Sequence, residues 1–518
     1  MALIVLTPFD RQQVVMSCKK LLLISNQSSD RHPLSAAEQV MFSALQGLAN
    51  STAAGFGDEG VYCLADNFNG LVFQPAASEL WLEQIGIPHH RCDPWALLTT
   101  PSTIRNYILF DLQANPGSAN AASSLSGVLK ALPVDVSLQA KVNEKGFTQL
   151  EDVRTWSLSD VLAKYPGRFN RTFAVELNTG FTQGAGIGWG PRDYAVANNA
   201  LVFFGDDERQ AVMDELGPSA AIYGWGPVTA AGEEGFISQV GQRGNYYVAA
   251  DHAFNLSVFS RLPGSSLPVP GAAPGPGPAI GGKCVAFFVS DGDNLQWLLN
   301  RGNYAGWWGS PVRGTVPLGW TMSPALYALA APVWNYYVGS LTDQDEIICG
   351  ASGIGYVYDN ITHSRYFADF LAKTSSFMEA AKITMVDVFG LNYQTNRAYL
   401  DGFTAQPAVD GVFYTSYSPW VVPPNPKNVI SHGKPVVPNT IDLSDNADQA
   451  VQQILSDPDP DSTFAVYVNA WGNQNNPLET VQSVYQQLTG RQGISIVKPS
   501  QLLERVRSLN QTGTAEQG

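Results

Sequence analysis

Beyond residue 282 the chain falls into short apolar runs separated by longer stretches whose apolar positions recur at helical spacing. Eight runs stand near Lys283–Ser290, Gly314–Trp320, Ile347–Ser352, Ile383–Phe389, Asp410–Thr415, Lys434–Asn439, Thr463–Asn469 and Ile494–Val497. Each is apolar throughout rather than alternating, as a parallel strand covered on both faces should be. Ser364–Lys382, Asn446–Leu455, Thr480–Thr489 and Pro499–Ser508 read as helices. Strands alternating with helices eight times predict a C-terminal (β/α)8 TIM-barrel-like domain. One run miscounted leaves a seven-strand variant or an open sheet.

Upstream the pattern is α/β but irregular. Leu21–Ser25, Gly60–Ala65, Asn106–Leu112, Thr172–Leu177, Ala200–Gly205 and Ala220–Gly224 predict strands, and Ser35–Leu48 and Asp206–Leu216 predict helices. The Pro- and Gly-rich stretch 263–282 cannot sustain a helix or a central strand. The expected organisation is an irregular α/β domain over 1–262, a linker over 263–282 and the barrel over 283–518.

At 518 residues the chain exceeds what one core supports, in keeping with two domains. A net charge of −15 argues against nucleic acid and anionic membrane as partners. Charged residues are only 14% of the chain, so its polarity comes from Asn, Gln, Ser and Thr, a composition expected of an exported protein. No signal peptide is visible at the start and no stretch approaches a membrane span. The five cysteines show no C-x-x-C spacing, and Cys284 and Cys349 sit in strand-like runs as small core residues.

Active sites of such barrels collect at the C-terminal ends of the strands. There the first strand ends in Ser290-Asp-Gly-Asp-Asn294, the third leads to Gly353-Ile-Gly-Tyr-Val-Tyr-Asp359, and the fourth carries Asp387. The second ends near Trp320, the sixth at Asn439 and the seventh in Asn469-Ala-Trp-Gly-Asn473. Asp291 and Asp293, two apart, face one side if the strand stays extended, with Cβ atoms about 7 Å apart. Carboxylates that close repel, so one keeps its proton while the other ionises, the division glycoside hydrolysis uses. The same residues also fit a tight turn capping the next helix, or oxygen ligands for calcium or magnesium without EF-hand spacing. Tyr356 and Tyr358, likewise two apart, would present their rings together as a platform for a sugar, or pack as part of a glycine-kinked core strand.

Ser290-Asp-Gly-Asp-Asn294, Trp307-Trp308, Arg313-Gly, Pro317-Leu-Gly-Trp320 and Gly353-Ile-Gly-Tyr-Val-Tyr358 resemble, in order, the GxGYxYP family of putative glycoside hydrolases. Upstream, Gln46-Gly-Leu-Ala-Asn50, Asp152-Val-Arg-Thr-Trp156, Arg192-Asp-Tyr194 and Tyr223-Gly-Trp225 with Glu233 and Glu234 are similar to it too. The resemblance covers nearly the whole chain. It implies an N-terminal α/β domain, a barrel-like C-terminal domain and a carbohydrate cleft between them. One departure is Asp359, which stands where the family motif ends in proline.

On that footing the expected activity is hydrolysis of O-glycosyl bonds in an oligo- or polysaccharide, without an organic cofactor. Asp291 and Asp293 are the expected catalytic carboxylates, with Glu234 or Asp359 as an alternative second one. Tyr356, Tyr358, Trp320 and Trp471 would stack on sugar faces, and Asn294, Asn469 and Asn473 would bond hydroxyls. Arg192 and Asp193 are the upstream residues expected to face the cleft. Two alternatives use the same residues: a non-catalytic glycan-binding protein, and a divalent-metal-dependent phosphoesterase or lyase with Asp291 and Asp293 as ligands.

Overall fold

The computed structural model describes residues 20–25, 34–51, 58–64, 75–99, 103–178, 189–227, 232–262, 281–302, 304–393, 396–417, 421–424 and 426–515. The chain divides into two compact units, one from residues 9–264 and the other mostly from 265–518. Most of the expected linker, residues 263–280, lies outside the described residues. No helix among the described residues is long and apolar enough to cross a membrane.

The N-terminal unit holds three small parallel sheets. Strands β1 (Lys20–Ser25), β2 (Glu59–Leu64) and β3 (His89–Arg91) run in the order β2-β1-β3. Strands β4 (Asn106–Phe110), β5 (Leu132–Asp135) and β6 (Thr148–Asp152) run β5-β4-β6. The third sheet orders β7 (Phe173–Glu176), β8 (Val202–Phe203), β9 (Ala221–Gly224) and β10 (Tyr246–Val248) as β10-β9-β7-β8.

The outer edge of β2 is completed by side chains. Asn50 accepts from the Val61 N–H at 2.8 Å and donates to its carbonyl at 2.9 Å. Asn255 does the same for Cys63, at 2.7 and 2.9 Å. Two amides thus stand in for a neighbouring strand and satisfy backbone groups that would otherwise be orphaned at a buried edge. Gln46 ties Asn255 in place at 2.6 Å and accepts from the Trp189 indole at 2.8 Å. The motif Gln46-Gly-Leu-Ala-Asn50 is therefore an edge cap.

The C-terminal unit is built on β11 (Lys283–Ser290), β12 (Leu318–Met322), β13 (Asp345–Cys349), β14 (Met385–Gly390), β15 (Gly411–Ser416), β16 (Val429–Ser431), β17 (Lys434–Pro438), β18 (Ile441–Asp442), β19 (Thr463–Asn469) and β20 (Ile494–Ile496). They form one curled, half-barrel sheet in the order β16-β17-β15-β14-β13-β12-β11-β19-β18, parallel except at β16, with β20 off this path. The short bridge Asn439–Thr440 links β17, next to the edge strand β16, to β18 at the opposite edge. Asn439 N–H bonds β15 at Tyr414, and Thr440 N–H bonds β19 at Ala465.

The eighth run does not take the place an eight-stranded barrel requires. β19 pairs with β11 along Cys284–Ser290 and so occupies the edge an eighth strand would use. The three-residue β20 pairs only with the start of β11, at Lys283–Val285.

Alternate residues of these strands share a face. Ala286, Phe288, Ile348, Met385, Phe413, Val437 and Ala465 form one apolar cluster. Leu502, Leu503 and Val506 of the helix Pro499–Ala515 join it, and the helix reaches Gly411 through Leu503 and Gly319 through Pro499. Cys284 lies in this cluster and Cys349 is fully buried, as small core residues should be.

Candidate active site

Two residues further along each strand, on the same face, the apolar layer gives way to a polar one. Ser290 follows Phe288, Asp387 follows Met385, Thr415 follows Phe413 and Asn439 follows Val437. They form one chain of hydrogen bonds. Ser290 Oγ donates to Asp387 Oδ2 at 3.0 Å, Thr415 Oγ1 to Asp387 Oδ1 at 2.8 Å, and Asn439 Nδ2 to Thr415 Oγ1 at 2.9 Å. All four residues are buried. Burial pushes the Asp387 carboxyl up to about 7; the Thr415 bond opposes this, and the Asp293 charge adds to the rise.

Strand β11 ends at Ser290, and Asp291 adopts a left-handed φ of 63°. The expectation that Asp291 and Asp293 share one side needed an extended backbone, and this turn removes that premise. Their environments differ accordingly. Asp291 is partly exposed, whereas Asp293 is 2% exposed. Burial pushes Asp293 up to about 7, against a hydrogen bond from Tyr356 that favours its ionised form. Asp293 Oδ2 has no hydrogen-bond partner among the described residues. It lies 2.6 Å from where a Cβ on Gly350 would stand, so position 350 must be glycine for the carboxyl to fit. A buried carboxyl that keeps its proton to neutral pH, with one oxygen uncommitted, can serve as a general acid.

Tyr356 connects the rim. Its hydroxyl lies 2.8 Å from Asn294 Oδ1 and 3.3 Å from Asp293 Oδ1, and Asn294 Nδ2 donates to the Asp291 carbonyl at 3.3 Å. Asp291, Asp293, Asn294 and Tyr356 are thus brought together. Tyr358 is 1% exposed, with its ring 5.0 Å from that of Tyr417. Both rings are buried, Tyr356 against Phe389 and Tyr358 against Tyr417, so they do not form the exposed paired platform expected of them.

Trp320 is fully buried, 5.0 Å from Trp308 and 5.5 Å from Trp307, and donates to Asp345 at 2.8 Å. Arg313 bonds the same carboxylate at 3.0 Å, so the motif residues Arg313 and Trp320 hold the core. Trp471 is partly exposed and meets the Trp297 ring at 4.3 Å. Its backbone N–H donates to the Asn469 side-chain oxygen at 2.7 Å. Asn473 bonds Asp445 and the Asn476 carbonyl. Asp359 is buried at the start of a short 3-10 helix, where Oδ1 accepts from the Leu391 N–H at 3.2 Å.

The residues expected upstream lie in the N-terminal unit. Arg192 is fully buried, bonded to Ser123, and burial lowers its pKa to about 9. Asp193 is also fully buried; it accepts from the Ser257 N–H at 2.9 Å, and burial raises it to about 6. Glu233 and Glu234 stand partly exposed in the first turn of the helix Gly232–Gln242, with Glu233 bonded to Trp225 at 3.0 Å. Among the described residues no three His, Cys, Asp or Glu side chains gather as metal ligands would.

The chemistry of Asp387 is not marked by any motif. Only strand parity combined with register shows that it shares a layer with Ser290 and Thr415. Trp297, Trp307 and Arg301, which adjoin the Asp291–Asp293 turn or each other, were likewise given no role by their spacing.

A curled parallel sheet with a polar inner layer and a buried acid at its strand ends is the layout of an α/β enzyme domain. Family profiles agree. Residues 282–507 match the profile described as "GxGYxYP putative glycoside hydrolase C-terminal domain". Residues 179–261 match the GxGYxYP third domain and residues 104–169 the GxGYxYP_N second domain. The chain belongs to the GxGYxYP family. It is similar in fold to the crystal structure of a putative hydrolase from Bacteroides thetaiotaomicron VPI-5482, with a TM-score of 0.79 and 24% identity over 95% of each chain. No curated protein matches the chain.

Proposed function

We propose that the protein hydrolyses O-glycosyl bonds of an oligo- or polysaccharide at the strand ends of the C-terminal unit, with Asp293 as general acid. The observation that carries this reading is the buried Asp293 carboxyl, pushed up to about 7 and with Oδ2 uncommitted. Its proton passes to the glycosidic oxygen as the bond from that oxygen to the anomeric carbon breaks. Asp291, partly exposed beside it, supplies the second carboxylate, as nucleophile or as base for water. Asp387 is a positioning residue: its carboxyl takes hydrogen bonds from Ser290 and Thr415 and so orders the polar layer at the strand ends beside Asp293.

The family description supports a glycosidase over other hydrolases. The test is a polysaccharide and oligosaccharide panel read for new reducing ends, with Asp291→Asn and Asp293→Asn beside the unaltered chain. Cleavage that persists in both variants defeats the assignment.

A further inference from the structure

Next to the Asp291–Asp293 turn lies a group of buried donors that the proposed hydrolysis does not use. Trp297 and Trp307 are both 0% exposed, and neither indole N–H has a hydrogen-bond partner among the described residues. Both nitrogens come within 3.3 Å of the point a Cβ on Gly292 would occupy, so the two donors converge over the glycine between the two carboxylates. Arg301 is 2% exposed and stacks on the Trp297 ring at 4.9 Å and the Tyr304 ring at 4.5 Å. The Tyr304 hydroxyl bonds the guanidinium, but among the described residues its Nε and Nη2 have no hydrogen-bond partner and it makes no ion pair with a carboxylate. Burial lowers its pKa.

A buried guanidinium without a counter-ion is costly, and unpaired buried N–H groups add to that cost. Because the guanidinium stacks on the ring of Trp297, whose N–H is one of the two unpaired donors, a single oxyanion at that tryptophan would relieve both. A neutral hydroxyl could accept from the indoles but would leave the cation uncompensated.

We infer that Arg301, Trp297 and Trp307 form a subsite for an oxyanion carried by the sugar, a uronate carboxylate or a sulfate ester. The inference rests on the glycoside hydrolase reading for the sugar. The net charge of −15 repels a polyanion at a distance, so the site fits one charged sugar unit rather than a densely charged tract.

Titration calorimetry with glucuronate, glucose 6-sulfate and glucose, on the full chain, tests this. At least one acidic sugar should bind about tenfold or more tighter than glucose, as expected for a charge-assisted Arg–oxyanion pair. The tighter of the two identifies the source of the charge. Arg301→Met should abolish the preference. Arg301→Lys, which keeps the charge if the Met variant does not fold, should retain part of it. Asp293→Asn should leave it intact. Equal binding of all three sugars, no binding of any, or an unchanged preference in Arg301→Met overturns the inference. Acidic-sugar preference with no glycan cleaved defeats the hydrolase reading and leaves the subsite standing. Cleavage of neutral glycans without that preference does the reverse.

Discussion

The Tyr356 hydroxyl lies 3.3 Å from Asp293 Oδ1 and 2.8 Å from Asn294 Oδ1. A phenol has one proton to give, and the shorter distance directs it to the Asn294 carbonyl oxygen. Protonated Asp293 can then carry its proton on Oδ2, the oxygen without a partner among the described residues, while Oδ1 lies beside the phenol. When Asp293 ionises, the phenol can turn to it, which is why this bond favours the charged form. Tyr356→Phe removes that help, so the alkaline limb of the pH–rate profile should move to higher pH. The fold should lose only about 1 kcal/mol, the worth of one hydrogen bond. An unmoved limb would separate Tyr356 from the acid.

Asp293 and Asp387 keep their protons in the folded chain up to about 7. The unfolded chain releases them near pH ~4. Protons held by the folded state alone favour folding, so this contribution is complete below about pH 4 and is lost as pH rises through about 7. The melting temperature should therefore fall between about pH 5 and 8, and Asp387→Asn should flatten the fall. Melting curves across that range decide it; a slope unchanged in the variant contradicts the buried-acid assignment.

Gly350→Ala would place a Cβ 2.6 Å from Asp293 Oδ2 and 2.8 Å from the Thr321 Cβ. Something must shift, and the carboxyl is the freer of the two. The variant should lose activity well beyond its stability cost of about 1–3 kcal/mol for overpacking. Comparing kcat with the melting temperature in one preparation separates the effects.

The edge cap of β2 predicts a different outcome. Asn50→Ala strands the Val61 N–H and leaves the Val61 carbonyl only the Gln46 amide at 3.2 Å, and should destabilise by about 1–3 kcal/mol. Denaturant titration should show that loss, with the pH–rate profile of the surviving folded protein unchanged. A shifted profile would give Asn50 a part in the chemistry.

The strands with long, unbroken apolar runs were legible in the sequence. β11 and β19 fall on the expected residues because burial on both faces leaves no polar interruption. β3 and β6 were not legible, since His89–Arg91 and Thr148–Asp152 are polar, and β5 carries a proline. The eighth strand was found but misplaced, because sequence spacing does not show which edge of β11 is already taken. At the site, Asp293, Asn294 and Tyr356 were legible as rim residues. The role of Asp387 emerges only from register, and the left-handed turn at Asp291 leaves no mark in the spacing of the two aspartates.

The release of reducing ends from a glycan panel, measured for the unaltered chain and for Asp293→Asn, bears most directly on the central claim. The unaltered chain should cleave at least one glycan, and the variant should be slower by roughly 10²–10⁴-fold, the usual contribution of a general acid. An aryl glycoside with an acidic leaving group, which needs no proton, should be spared most of that loss. Cleavage at an unchanged rate in Asp293→Asn, or no cleavage of any glycan by the unaltered chain, would contradict it.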